Sequence, residues 1–320
     1  MKLVPLQDLN PDALVPLLRD TVQLGASIGW TATPSEDAAR AFWQRCQDSC
    51  RRGERQGFVA VEGEQVLGSA QLVLDTPDNG AHRAEVCKVM VAPAARQRGL
   101  GAQLMQAAEA AAVQQGRRLL VLDTVRASPA ERLYRRLGYQ VCGHIPAYAM
   151  STAGALEPTQ VMFKRLGAQG EWVQPVATDH PEALALQDAL SALLMQRFGS
   201  DGRANFQASG MPAGAVFALA RAADGQPLGC GALRPLAEFA GVGELKRMHA
   251  QAPRHGVGRL LLNYLEQEAW QQGWRELRLS TRRANHEALA FYAGAGFSEC
   301  PPYGPYVGRA DSICLHKRLG

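Results

Sequence analysis

Several features are missing from this 320-residue chain, and each absence excludes a class of function. No run reaches eighteen consecutive apolar residues, which argues against a membrane-spanning helix, and Asp8 and Asn10 interrupt the N-terminus too early for a signal-peptide core. The expected compartment is therefore cytoplasmic. An excess of one charge is also missing: 34 Lys and Arg face 30 Asp and Glu, and the resulting +4 is too slight to argue for nucleic acid or a membrane surface. Cysteine is scarce and odd in number, seven in all, mostly within apolar stretches. Cys46 and Cys50 lie four apart on a predicted helix, but no nearby Cys or His pair completes a metal site, so no metal and buried or half-buried free thiols are expected. Hydrophobic residues at 47% and charged residues at 20% describe an ordinary soluble protein, with length enough for two domains.

What is present centres on the stretch from Glu85 to Ala102. A β-branched apolar segment runs into a Pro-containing turn, a basic Gly-x-Gly (Arg96, Gln97, Arg98, Gly99, Leu100, Gly101) and then a helix. Glycines at a helix entrance let backbone N–H groups crowd an anion, and the helix dipole adds partial positive charge. The loop lacks the Lys-Ser/Thr ending of nucleotide-hydrolysing phosphate loops and is not Gly-x-Gly-x-x-Gly.

The pattern along the first half predicts strand Lys2–Pro5, helix 11–24 capped by Asn10, a Gly/Thr-rich loop 25–34 carrying Trp30, and helix 35–53 opened by Ser35. A hairpin (58–61 and 65–74), strand 84–91, helix 101–115, strand 118–125, helix 129–137 and strands 139–145 and 159–166 follow. The plan then restarts. Glu85, Gly99-x-Gly101, Gly116, Tyr134 and Gly138-Tyr139 reappear in order as Glu244, Gly256-x-Gly258, Gly273, Tyr292 and Gly296-Phe297. The first Gly lies 17 residues before the helix-ending Gly in both halves, and Gly101 to Tyr134 is 33 residues against 34 from Gly258 to Tyr292. This is an internal duplication, read as domains 1–167 and 168–320.

Glu85 sits six residues before Val91, and strand alternation would put Glu85, Cys87, Val89 and Val91 on one face. A carboxylate there is placed either to take a proton from an amine or to pair with Arg83 or Lys88. Tyr134 offers a phenol that could protonate a leaving thiolate, or a ring for the core. Asp123 could hold a substrate amine or cap the next helix, and His82 is a second candidate base against a structural role.

As an ordered set, Glu-x-x-x-Val-x-Val, Arg-x-x-Gly-x-Gly and Leu-Tyr-x-x-x-Gly-Tyr resemble the GNAT-superfamily N-acetyltransferases, and the resemblance covers both halves. It implies an α/β (α+β) fold of two tandem domains, each a mixed, mostly antiparallel sheet flanked by helices. It also implies acetyl-CoA as co-substrate, with pyrophosphate on Arg96–Ala102, pantetheine against Val89, Met90 and Val91, Glu85 as base and Tyr134 as acid. The first half is similar to tabtoxin-resistance-type acetyltransferases through Gly25–Trp30, Phe42-Trp43, His82–Val86, Leu120–Thr124, Ala130–Tyr134 and Ile145–Ala149. That points to a small-molecule amine acceptor near Trp30, His82, Asp123 and Tyr148. Ala127 stands where many members carry Asn.

The second half resembles another single-domain group through Glu244–His249 and Pro301–Tyr306, and it keeps Asn285. Its loop is shorter: Glu244 to Gly256 is 12 residues, against 14 from Glu85 to Gly99. Pro253, which has no N–H, stands three before Gly256, and Ala250 replaces a strand valine. The expectation is a catalytic first half and a non-catalytic second, with no nucleic-acid or membrane partner and a monomeric pseudo-dimer as one state. The alternatives are a mycothiol-synthase-like tandem enzyme working through its second half, or an acyl-CoA-binding module without turnover.

Overall fold

The computed structural model describes residues 1–202, 211–252 and 255–320, which divide into compact units Met1–Gly170 and Glu171–Gly320. The first unit runs β1 (Lys2–Pro5), α1 (Pro11–Gln23), α2 (Glu36–Arg51), β2 (Arg55–Glu62), β3 (Gln65–Val73), β4 (Arg83–Val91), α3 (Leu100–Gln114), β5 (Leu119–Val125), α4 (Pro129–Arg136), β6 (Gln140–Met150) and β7 (Leu156–Arg165). Local chemistry sets the helix starts. Asn10 accepts from the Asp12 N–H at 3.0 Å and Ser35 from the Ala38 N–H at 3.2 Å, each satisfying a donor the helix leaves free.

The sheet order is β1-β2-β3-β4-β5-β7-β6, antiparallel except for β4 beside β5. Side chains alternate between its faces. Val59 and Met90 pack with Leu14, Leu18 and Trp43 of α1 and α2, while Ala60, Leu67 and Ala70 pack with Leu100 and Leu104 of α3. The sheet is thus covered by helices on both sides, as the sequence implied.

Two irregularities in β4 shape the unit. A bulge at Lys88, whose φ is +51°, shifts the β3–β4 register between Gln71↔Cys87 and Ser69↔Met90. Because of it, the expected shared face of Glu85, Cys87, Val89 and Val91 does not exist. Cys87 contacts Arg55 on the α1–α2 face, whereas Val89 and Val91 join the α3 cluster. The second irregularity is a splay: β4 pairs with β5 only from Arg83↔Leu119 to Glu85↔Val121. Beyond that, among the described residues, the β5-facing edge of β4 has no strand partner.

Strand β6 also departs from expectation. It continues past Ile145 to Met150 because it is an edge strand, where Pro146 removes no ladder bond, and a bulge with Ala147 at φ +50° absorbs the irregularity.

The second unit runs β8 (Trp172–Val176), α5 (Pro181–Phe198), β9 (Val216–Arg221), β10 (Pro227–Pro235), β11 (Val242–Ala250), α6 (Val257–Gln271), β12 (Glu276–Arg282), α7 (His286–Ala293), β13 (Ser298–Cys300) and β14 (Ser312–Arg318). Its sheet order, β8-β9-β10-β11-β12-β14-β13, matches the first unit strand for strand. The bulge recurs at Arg247 (φ +52°), and the parallel pairing again stops at the glutamate, Glu244↔Arg278. Where the bulged strand crowds its neighbour, both units place glycine. A Cβ on Gly68 would lie 2.7 Å from the Met90 carbonyl oxygen, and one on Gly229 2.4 Å from that of His249.

Among the described residues no helix is long and apolar enough to cross a membrane, and no cluster of His, Cys, Asp and Glu has the makings of a metal site. All seven cysteines are free; Cys142 is exposed, unlike the expected buried or half-buried thiols, because it lies on the edge strand β6.

Candidate active site

The wedge between β4 and β5 opens toward the loop that enters α3. After β4 the chain makes a short 3-10 turn (Pro93–Ala95), then Gln97 and Gly99 take left-handed conformations at φ +62° and +78°. Gly99 caps α3 through its backbone alone, with no side-chain acceptor. Its carbonyl receives the Ala102 and Gln103 N–H groups at 3.1 and 3.2 Å. Among the described residues, the N–H groups of Gln97, Arg98, Gly99, Leu100 and Gly101 meet no acceptor in the protein. Consecutive unpaired donors at a helix N-terminus fit a polyanion such as a pyrophosphate. Arg96 reaches the Val91 carbonyl at 3.3 Å and Arg98 approaches Glu62 at 3.3 Å, so both cations stand exposed at this mouth.

Glu85 lies at the last paired position before the wedge. It is exposed, and among the described residues neither Arg83 nor Lys88 pairs with it; the Lys88 ammonium instead donates to the Ile28 carbonyl at 3.0 Å. Its carboxylate is left open to accept a proton.

Tyr134 stands on α4, 6% exposed, with its ring 5.9 Å from that of Tyr139. Burial, then the Asp123 carboxylate and the Cys87 thiol, push its phenol well above the ordinary tyrosine range. Cys87 and Asp123 are each two residues beyond the last β4–β5 pair, so the phenol feels both walls of the wedge. A phenol held protonated there is equipped to give a proton.

Ser128, not Asp123, caps α4: its hydroxyl accepts from the Glu131 N–H at 3.1 Å, and the Glu131 carboxylate accepts from the Ala127 N–H at 2.6 Å. Asn285 caps α7 in the second unit, so the missing Asn at Ala127 deprives α4 of no cap. Asp123 is exposed and accepts from the Thr159 hydroxyl at 2.9 Å.

The other candidates divide. Trp30, half-buried against Phe42 (6.3 Å between ring centroids), lies in the α1–α2 loop that the Lys88–Ile28 hydrogen bond ties over the bulge. Tyr148 is exposed on the bulged part of β6. The β6–β7 turn approaches the same α1–α2 loop, since a Cβ on Gly25 would lie 3.7 Å from the Thr152 hydroxyl. His82 is not brought to the wedge. It precedes the opposite end of β4, where its carbonyl receives the Arg118 and Leu119 N–H groups and anchors the start of β5. Sequence reasoning missed Arg55, Gln71 and the Lys88 bulge, for which the only local hint was a cation at the start of an apolar strand.

The second unit treats its glutamate in the opposite way. Glu244 is 1% exposed and carries four partners: Arg234 at 2.7 Å, Lys246 at 2.9 Å, and the Tyr303 and Tyr306 hydroxyls at 3.1 and 3.5 Å. Tyr292 is buried with its phenol pushed up by desolvation alone. Gln251, like Ala92, donates across to the neighbouring strand, and from there Gly256 follows after five residues where Gly99 follows after seven. Pro253 lies outside the described residues.

A profile of the acetyltransferase (GNAT) family matches residues 19–139 and 186–297. An IAA acetyltransferase of Azospirillum brasilense is 37% identical over 97 residues, covering 30% of this chain and 63% of that protein. An uncharacterised N-acetyltransferase from the hisH-hisA intergenic region of Azospirillum brasilense is 34% identical over 139 residues, 42% of this chain and 80% of its own length. A GCN5-related N-acetyltransferase structure from Kribbella flavida aligns at 28% identity with a TM-score of 0.44, covering 52% of this chain and 97% of that one. The chain thus spans a little under two thirds, 63%, of the first of these relatives.

Proposed function

The chain belongs to the acetyltransferase (GNAT) family, and from that premise we propose that its first unit transfers an acetyl group from acetyl-CoA to the amine of a small molecule. The observation that carries this reading is the contrast between two glutamates at one register position, Glu85 exposed and, among the described residues, without an ion pair, Glu244 buried under four partners.

Acetyl-CoA supplies the activated acetyl thioester. Residues Arg96 to Ala102 hold its pyrophosphate through backbone N–H groups, and the unpaired edge of β4 at Val89, Met90 and Val91 faces the pantetheine. Glu85, directly or through a water, takes the proton the amine must lose to attack the thioester carbonyl. As the C–N bond forms and the C–S bond breaks, Tyr134 gives its proton to the departing sulfur. Trp30, Asp123 and Tyr148 border the acceptor side; His82, just before the paired end of β4, is given a backbone role in anchoring β5. The motifs shared with tabtoxin-resistance-type acetyltransferases support a small amine acceptor.

The second unit, with a shorter loop and a neutralised glutamate, contributes no turnover. The test is titration calorimetry of the whole protein with acetyl-CoA, together with free-thiol release across an amine panel. One site per chain and amine-dependent thiol release are expected. Two equal sites, or binding without thiol release for any amine, would overturn the reading in favour of an active second unit or a non-catalytic acyl-CoA-binding module.

A further inference from the structure

On the α1–α2 face of the first sheet, Arg55, Val73 and Glu85 form one row across three strands, through the pairs Arg55↔Val73 and Val73↔Glu85. Strands spaced about 4.8 Å apart put the two charged residues about 10 Å apart at their backbones. The Arg55 side chain closes part of that gap. Its Nη1 donates to the Gln71 side-chain oxygen and reaches the Cys87 sulfur at 3.6 Å, so the guanidinium lies over β4 one residue pair, about 7 Å, from Glu85 on the same face.

This guanidinium is poorly matched by the protein. Among the described residues it has no ion pair, and the adjacent Glu54 is held by Arg52 at 2.7 Å. Among the described residues the Arg55 Nε and the Ser69 hydroxyl are buried without a protein partner, while the Gln71 side chain, 0% exposed, also lies against the Cys46 thiol. Native interiors complete such groups with water, an ion or a ligand. A second cation, Lys88, stands in the bulge beside Cys87 and is bound only to a backbone carbonyl. Two cations, Arg55 and Lys88, lie on one side, and the open Glu85 carboxylate lies on the other.

We propose that Arg55, positioned by Gln71, is an anion subsite for the acceptor, and that the amine acetylated here carries a carboxylate in the manner of an amino acid. The inference rests on the acetyltransferase reading above and deepens it. A guanidinium binds a carboxylate by paired, charge-assisted hydrogen bonds, a geometry an ammonium does not reproduce. With the carboxylate on Arg55, the amine of a compact zwitterion falls toward Glu85.

The experiment assays thiol release from acetyl-CoA with the common L-amino acids and with β- and γ-amino acids, each beside its carboxamide and its decarboxylated amine. The wild-type protein is expected to favour the carboxylate member over its amide by at least about 10-fold in kcat/KM. Arg55→Met should raise the acceptor KM by about 10–100-fold, erase that preference, and leave acetyl-CoA affinity by calorimetry unchanged. Arg55→Lys, keeping charge without the fork, should retain part of the preference. Equal use of acid, amide and amine by the wild type overturns the inference while leaving the acetyltransferase reading in place. An unchanged acceptor KM in a folded Arg55→Met does the same. No turnover with any carboxylate-bearing amine also overturns it, and acetyl-CoA binding then decides whether the transferase reading falls as well. The wild-type comparison needs no variant, so a misfolded Arg55→Met leaves the test intact.

Discussion

Replacing Glu85 and Glu244 by glutamine in turn separates catalysis from stability, because the two residues share a register position and little else. Glu244 is 1% exposed, with Arg234 at 2.7 Å and Lys246 at 2.9 Å, the latter cation itself only 10% exposed. An amide there leaves both cations without their counter-charge. Breaking a buried pair from one side costs about 3–5 kcal/mol, and the partial exposure of Arg234 points to the lower end. For a unit of about 150 residues each kcal/mol lowers Tm by about 2–4 °C, so Glu244→Gln should lower the melting of the second unit by about 6–12 °C. Glu85→Gln removes no ion pair from an exposed position, so it should shift stability by no more than about 0.5 kcal/mol. The same change removes the proposed proton acceptor, and turnover should fall by about 10²–10⁴-fold. Scanning calorimetry and steady-state thiol release on both variants provide the measurement. A Glu85→Gln protein with full turnover, or a Glu244→Gln protein that loses turnover while melting normally, would refute the reasoning.

The phosphate cradle predicts a second asymmetry. Gly99→Val forces a β-branched residue into φ +78° and should weaken acetyl-CoA binding at least about 10-fold by calorimetry, whereas Gly256→Val should leave that binding unchanged. Tyr134→Phe keeps the ring and should lower turnover by about 10–10⁴-fold with acetyl-CoA affinity retained; because the phenol is held well above its ordinary value, the wild-type rate should show no loss from its ionisation up to about pH 10 in a pH–rate profile. Ser128→Ala removes the cap of an eight-residue helix and should cost about 0.5–2 kcal/mol in chemical denaturation. Burial alone would raise the Glu131 carboxyl, but the Ala127 N–H and the Arg135 guanidinium outweigh it and hold it below the usual range. Its stabilisation is therefore present above the unfolded value of about 4.3 and lost as pH falls through the folded one, so the stability gap between wild type and Glu131→Gln should shrink in acid melts below about pH 4.

The parts of the molecule that were legible in the sequence are those fixed by neighbours in the chain. Asn10, Ser35 and Gly99 announce their helices because a cap acts within three or four residues. The bulge at Lys88 was not legible. Seven alternating residues from Glu85 to Val91 read as a regular strand, and what breaks the alternation is remote: the missing side chain of Gly68 and the carbonyl of Ile28, 60 residues away. The same distance hid the chemistry of the glutamates. Whether Glu85 serves as a base or as half of an ion pair could not be read from Arg83 and Lys88, because Lys88 turns to a backbone carbonyl instead. Nor did the Glu244 motif reveal that Tyr303 and Tyr306, 59 and 62 residues on, donate to that carboxylate. Arg55 reaches Cys87 across 32 positions, beyond what a local pattern can carry.

One fold holds an open carboxylate in one copy and a buried, paired one in the other. The bulge, the splay and the facing glycine occur in both, because they are matters of backbone clearance and persist whatever the wedge contains. The glutamate at the apex is different, since its use depends on what else reaches it. A carboxylate that takes a proton from an amine must be open and without counter-ions, which yields no stability. A carboxylate that neutralises two buried cations must keep its charge and its geometry, which leaves no lone pair facing a substrate. These demands exclude each other at one position. In the first unit Arg55 is held on Gln71 and Cys87 and Lys88 on Ile28, so Glu85 stays free. In the second, Arg234 and Lys246 close onto Glu244, and the position that could have been a base has become part of the core.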